Sequence, residues 1–149
     1  MPYWSTDFPA RFLNAKEYDI MSELDALLFD LGTRTAKIRL DYYDVAVQMM
    51  EEAYFRPLYQ WCRDRDIIYG HDQLSRADVI RGVMYYGDYF RTMRWYQAPG
   101  TDRMPVLLRG KVVYSISHFY YRPHASFEAY QSQGWGVTPA VIYFIEAKK

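Results

Sequence analysis

The stretch QWCRDRDIIYGHDQ, residues 60 to 73, decides how the fold is read. Its first half closes a long amphipathic run and its second half is a short β-branched and aromatic burst. Upstream, in TAKIRLDYYDVAVQMMEEAYFRPLYQWCRDRD, apolar residues recur at spacings of three and four: Val47, Met50, Tyr54, Leu58 and Trp61. Ile38, Tyr42, Val45 and Met49 widen that stripe. This periodicity predicts a helix, with Thr35 as its N-cap and a kink at Pro57, which has no N–H to donate. The helix should resume to about Arg63, and Asp64 to Asp66 read as a charged turn. IIYGHD, residues 67–72, then reads as a buried strand whose end carries His71, Asp72 and Gln73.

The rest of the chain is read outward from this junction. Thr6 and Asp7 precede FPARFLNAKEY, with Pro9 in the first turn, which is a helix-start signal; Phe8, Phe12 and Leu13 would share a face. Asp19 or Ser22 can cap a second short helix over MSELDALLF, ended at Gly32 by left-handed chemistry. Downstream, residues 74 to 84 fit no single period. YYGDYFRTMRWY reads as helical from Asp88, with Gly87 against it. APGTDRMP reads as a loop because of its Pro and Gly. RGKVVYSISHFYY reads as a helix with Val112, Ile116 and Phe119 or Tyr120 on one face, stopped at Arg122-Pro123. HASFEAY is a second strand and QSQGWGVTP the loop beyond it. Helices, strand, loop, helix, strand and loop follow in that order, and polar residues cluster past each strand. The expectation is an α/β fold with parallel strands and long helices, its site at the C-terminal ends of the strands.

Composition narrows the function classes. The chain has 149 residues, enough for one domain, with 18 basic and 18 acidic side chains. That balance gives no electrostatic support for nucleic-acid binding. Aromatic residues make up 19%, with 16 Tyr and 4 Trp; such rings either fill a core or stack on ligands, sugars among them. The single cysteine, Cys62, excludes an internal disulfide framework and reads as a structural thiol inside a helix. The opening MPYWSTDFP lacks the basic and apolar pattern of a signal peptide, and no apolar run nears the ~20 residues of a membrane span. The expected location is cytoplasmic for the chain as it stands, and secreted or periplasmic if it is a fragment of a longer enzyme.

Several residues are candidates for chemistry. Glu128 lies in HASFEAY beside Phe127, Tyr130 and Trp135. A carboxylate among rings is partly desolvated, which raises its pKa and suits general acid or base work; the alternative is an ion pair with Arg122 or Arg109. His71 and Asp72 at the end of IIYGHD can orient a hydroxyl, bind a metal or move a proton, or simply close a turn. Asp102, in PGTD, is either a site carboxylate or a solvated turn residue. His118 reads as structural. Asp72, Asp102 and Glu128 beside Tyr and Trp form the pattern that glycoside cleavage needs: one acid protonates the leaving oxygen while the other activates water or attacks the anomeric carbon. No Gly-rich phosphate loop or HExxH helix is present.

Four stretches taken in order resemble a known family. They are FPARFLNAKEYDI, TAKIRLDYYDVAVQMMEEAYFRPLYQWCRDRDIIYGHDQ, GDYFRTMRWYQAPGTD and KVVYSISHFYYRPHASFEAYQSQGWGVTP, running from Phe8 to Pro139, within a resemblance that covers residues 4 to 139. Together they resemble part of the catalytic barrel of the α-L-rhamnosidase-like glycoside hydrolases, family 106 and its relatives. The resemblance implies a (β/α)8 TIM-barrel-like segment, a carbohydrate substrate of rhamnoside type, and an inverting mechanism with bound calcium. It implies that Glu128 is the catalytic base, that Asp102 lies near the site and helps hold the metal, and that His71 and Asp72 line the sugar pocket. Trp95, Tyr130 and Trp135 would be stacking walls. The chain departs from the pattern in lacking the early strands with the general acid and in its divergent tail, residues 140–149. It is also shorter than the roughly 250 residues of a full barrel. The expectation is one domain over residues 1–149, a partial barrel incomplete for catalysis alone, with open edges that favour self-association. A non-catalytic carbohydrate- or protein-binding module is the alternative.

Overall fold

The computed structural model describes residues 3–72, 79–102 and 109–128. They are mostly helical. Helix α1 (Phe8–Lys16) leads through a single 3-10 turn (Ile20–Glu23) to the short α2 (Asp25–Leu28). The Asp19 carboxylate accepts from the Met21 N–H and caps that turn, and Gly32 takes the left-handed φ of 98° that the sequence anticipates. Helix α3 (Thr35–Met50) follows. Thr35 opens its first turn rather than capping it, and its hydroxyl accepts from the Leu31 N–H at 2.8 Å.

The expected kink at Pro57 takes a specific form. Residues Glu51–Phe55 make one π-helical turn, and α4 (Arg56–Arg63) starts with Pro57 in its first turn. There the ring's missing N–H costs little. A π-turn adds residues to one turn of helix, so the face that α4 buries is not the one extrapolated from α3. Tyr54 and Trp61, expected in the stripe, are 52% and 51% exposed, while Phe55 and Cys62 turn inward.

Beyond α4 come strand β1 (Gly70–Asp72), α5 (Val79–Tyr86), α6 (Tyr89–Met93), β2 (Ala98–Asp102), α7 (Arg109–Phe119) and β3 (Ser126–Glu128). The three strands form one sheet in the order β1-β2-β3, paired in parallel. APGTD is therefore its central strand, not a loop. Pro and Gly weaken a strand locally, but β2 is paired on both sides and packed under α7, and this tertiary context overrides the local signal.

The (β/α)8 TIM-barrel-like segment is corrected. The described parts of the strands are three, five and three residues long, and the described residues form no barrel. A barrel interior is filled by layers of branched apolar side chains, whereas these strands read Gly-His-Asp, Ala-Pro-Gly-Thr-Asp and Ser-Phe-Glu. The branched residues expected in the first strand, Ile67 and Ile68, lie ahead of it and are 45% and 59% exposed.

Two apolar clusters hold the chain. One joins α1, the 3-10 turn, α2 and α3 through Phe8, Phe12, Ile20, Ala26, Ile38 and Tyr42. The other gathers Phe55, Tyr89, Met93, Tyr96, Val113 and Ile116 beside the sheet. In α7 the buried positions are Val113, Ile116 and Ser117, and Phe119 faces solvent. The buried face is thus turned from the one that the sequence stripe suggests.

Candidate functional site

Strand pairing places the acidic candidates. Asp102 and Glu128 are register partners across β2 and β3, and Asp72 pairs with Gly100, two residues before Asp102. Asp72, Asp102 and Glu128 are each the last described residue of their strand; the register sets Asp102 beside Glu128 and leaves Asp72 two residues short of them along the same parallel sheet. His71 pairs with Pro99, one step behind. The central strand is buried along Ala98, Pro99, Gly100 and Thr101. Small residues let the strands approach: a Cβ added at Gly70 would stand 3.1 Å from the Ala98 carbonyl oxygen. Tyr130 and Trp135 lie outside the described residues.

Trp95 is not brought to the acids. It precedes β2, and its indole N–H donates to Glu51 Oε1 at 2.7 Å. β2 alone sets roughly 13 Å between Ala98 and Asp102, at ~3.3 Å per residue. Trp95 therefore belongs to the amino end of the sheet, opposite the acids, and the stacking wall expected there is corrected. His118 is exposed on α7 beside Tyr114, with ring centroids 6.3 Å apart.

Sequence reasoning missed Glu51. Only 1% exposed, it occupies the first position of the π-turn. Arg91 Nε donates to its Oε2 at 2.7 Å, and Arg94 donates to its Oε1 at 2.7 Å beside the Trp95 bond. Both carboxylate oxygens are thus engaged, which is the condition for burying a charge. A signal existed: Glu51 stands four residues after Val47, itself 1% exposed, so helical spacing puts the acid on the buried face.

From Arg91 an ionic chain runs to the first helices. Arg91 donates to Asp44 at 2.6 Å, Lys16 bonds Asp44 at 2.5 Å and reaches Asp41 at 3.5 Å, and Asp41 also accepts from Lys37 and Tyr18. The hydrogen bond from Lys16, helped by Arg91, holds Asp44 below the usual carboxylate range. Burial works against ionised Asp41, yet hydrogen bonds from Lys37 and Tyr18 lower it too. The same pairing raises Lys16, chiefly through Asp44. Lys16, Asp41, Asp44 and Arg91 line a cleft of about 430 Å³ with Val47, Val83 and Gly87. A larger cleft of about 580 Å³ lies between the first helix and the π-turn, walled by Trp4, Phe8, Met49, Met50 and Tyr54, with Arg11 bonded to Glu52 at its rim. Burial pushes the Tyr69 hydroxyl, at the entry to β1, up to about 12.

Among the described residues no three His, Cys, Asp or Glu side chains group so as to hold a metal ion, and no helix is long and apolar enough to cross a membrane. No protein-family model matches the chain, and neither a curated protein nor a solved structure matches it.

Proposed function

We propose that the carboxyl end of the parallel sheet recognises carbohydrate, and that Glu128 and Asp102 are the acids that act on a glycosidic bond there. The observation that carries this reading is the register. Three acidic positions from three separate segments, Asp72, Asp102 and Glu128, lie on neighbouring parallel strands, Asp102 and Glu128 in direct register and Asp72 two residues behind. In open parallel sheets ligands bind outside the carboxyl ends of the strands. Glycoside cleavage needs two carboxyl groups, one as acid and the other as base or nucleophile. Asp72 and His71 supply donors and acceptors for sugar hydroxyls. The barrel plays no part in this reading, which rests on the sheet alone. If calcium binds, hard carboxylate oxygens such as that of Asp102 are the ligand type it takes, and its contribution would be to hold sugar hydroxyls in place.

The test is direct. Aryl rhamnosides and related glycosides are offered to the wild type and to Glu128→Gln, and oligosaccharide binding is measured by calorimetry on both. The expected result is saturable sugar binding, with turnover falling about 10²–10⁴-fold in the variant, as for loss of a general base. Binding with no released sugar would make the site a recognition module without chemistry. Equal turnover by the two proteins, or the absence of any sugar binding, overturns the proposal.

A further inference from the structure

At the amino end of the same sheet, four guanidinium groups surround two rings. Arg56 and Arg94 stand over Trp95, 5.3 and 5.1 Å from its centroid. Arg122 and Arg63 stand over Tyr59 at 5.4 and 5.9 Å. The two rings meet edge to face, with centroids 5.9 Å apart. The facing carboxylates do not balance this charge. Glu51 is committed to Arg91, Arg94 and Trp95, and Asp64 to Arg63. Among the described residues Arg122 has no carboxylate ion pair, and Arg56 feels only Glu52, which is already bonded to Arg11. Arg122 donates instead to the Arg94 carbonyl. The Nε atoms of both Arg94 and Arg122 are buried with no hydrogen-bond partner. A buried donor without an acceptor is costly, and more so on a charged group. The chain as a whole is formally neutral, so this excess is local.

We infer that the face formed by Arg56, Tyr59, Arg94, Trp95 and Arg122 binds a tetrahedral oxyanion: a phosphate, free or as a monoester. Guanidinium groups present planar forks of donors that match phosphate oxygens, and they stack on rings while doing so. Tyr59 and Trp95 hold the guanidinium planes, and Glu51 fixes Arg94 from behind. The anion would meet the open part of Arg94, whose side chain is 38% exposed, together with exposed Arg56, and add negative charge beside Arg122, which has no carboxylate of its own. The strands' acidic positions, Asp72, Asp102 and Glu128, give the other end of the sheet the opposite charge. The inference is independent of the carbohydrate reading and survives its failure.

The experiment titrates the full chain at low ionic strength with inorganic phosphate, phenyl phosphate and sodium chloride at matched ionic strength. Calorimetry and tryptophan fluorescence are the readouts. Variants are Arg56→Gln, whose side chain is exposed, stands over Trp95 and otherwise feels only Glu52, and Arg122→Lys, which keeps charge but loses the fork. Saturable phosphate binding is expected, absent with chloride and weakened at least about tenfold in both variants. Tighter binding of phenyl phosphate than of inorganic phosphate would assign the site to an ester, and the reverse order to the free anion. An identical response to chloride, or undiminished phosphate affinity in Arg56→Gln, overturns the inference. Arg56→Gln keeps the test valid if Arg122→Lys melts early.

Discussion

At the scale of single residues, Glu51 shows how a buried charge organises its surroundings. It fixes Arg91, Arg94 and Trp95 just ahead of the central strand, across more than forty residues of chain. Replacing it with Gln keeps the volume but puts an amide N–H₂ against guanidinium donors, leaves part-buried Arg94 without its counter-charge and leaves Arg91 with Asp44 alone. Removing one partner of a buried pair is costly. Glu51→Gln should lower unfolding stability by about 2–4 kcal/mol, with a shift in tryptophan fluorescence as the acceptor of the Trp95 indole changes from a carboxylate to a neutral amide oxygen. Urea titration followed by that fluorescence measures both, and unchanged stability would show that the pair is no better than an apolar contact. The residue was legible only in part: its spacing from Val47 placed it on the buried face, but Arg91 and Arg94 lie some forty residues away, and one sequence does not reveal which distant cations will pair with an acid.

At the scale of elements, the long helix was legible in extent and misjudged in rotation. Its start near Thr35, its end at Arg63 and its irregularity before Pro57 follow from periodicity and proline chemistry. The inward set beyond Met50 did not follow, because the π-turn rotates everything after it. Phe55 packs against Tyr86 and Tyr96 at centroid distances of 6.4 and 6.0 Å. Trp61 lies on the surface under Arg65, 4.3 Å from its ring. Phe55→Ala should cost about 3–5 kcal/mol and Trp61→Ala under about 1 kcal/mol, the reverse of what a straight continuation of the stripe demands. Thermal melts of the two variants decide it; equal losses would restore the uninterrupted stripe. Caps were the most readable local features: Asp19 accepts from Met21, and Asp88 accepts from the Arg91 N–H at 2.9 Å. β2 was the least readable, because Pro99 and Gly100 spell a loop to any local rule. Its strand exists only because β1 and β3 flank it and α7 packs on it. That Asp72 and Glu128 lie on strands was readable from β-branched and aromatic runs, IIYGHD and HASFEAY. The partnership of Asp102 with Glu128 was not, because the strand that carries Asp102 read as a loop.

At the scale of the molecule, two apolar clusters are joined by one ionic chain. Lys16 of α1, Asp41 and Asp44 of α3, and Arg91 of α6 link the first helices to the residues beside the sheet. The sign of the pH dependence follows from the carboxylates, whose folded-state pKa values are lowered. A lowered carboxylate stabilises the fold above its unfolded pKa of ~3.9 and loses that contribution as pH falls through the lower folded value. Lys16, raised in the fold, contributes fully below ~10.4 and loses its share as pH climbs through its folded value. Stability carried by this chain should therefore be flat between those limits and fall on the acid side below about pH 4. Asp44 is nearly half exposed, with 46% of its side chain open, so solvent screening limits its share to about 0.5–1 kcal/mol. Asp44→Asn should remove that amount at pH 7 and flatten the acid limb by the same amount, drawing the curves of variant and wild type together near pH 3. Urea unfolding at pH 3, 4, 5 and 7 reads this directly. Curves that stay parallel down to pH 3 would mean that Asp44 carries its proton alike in both states, and that the two clusters are joined by apolar contact without help from the ionic chain.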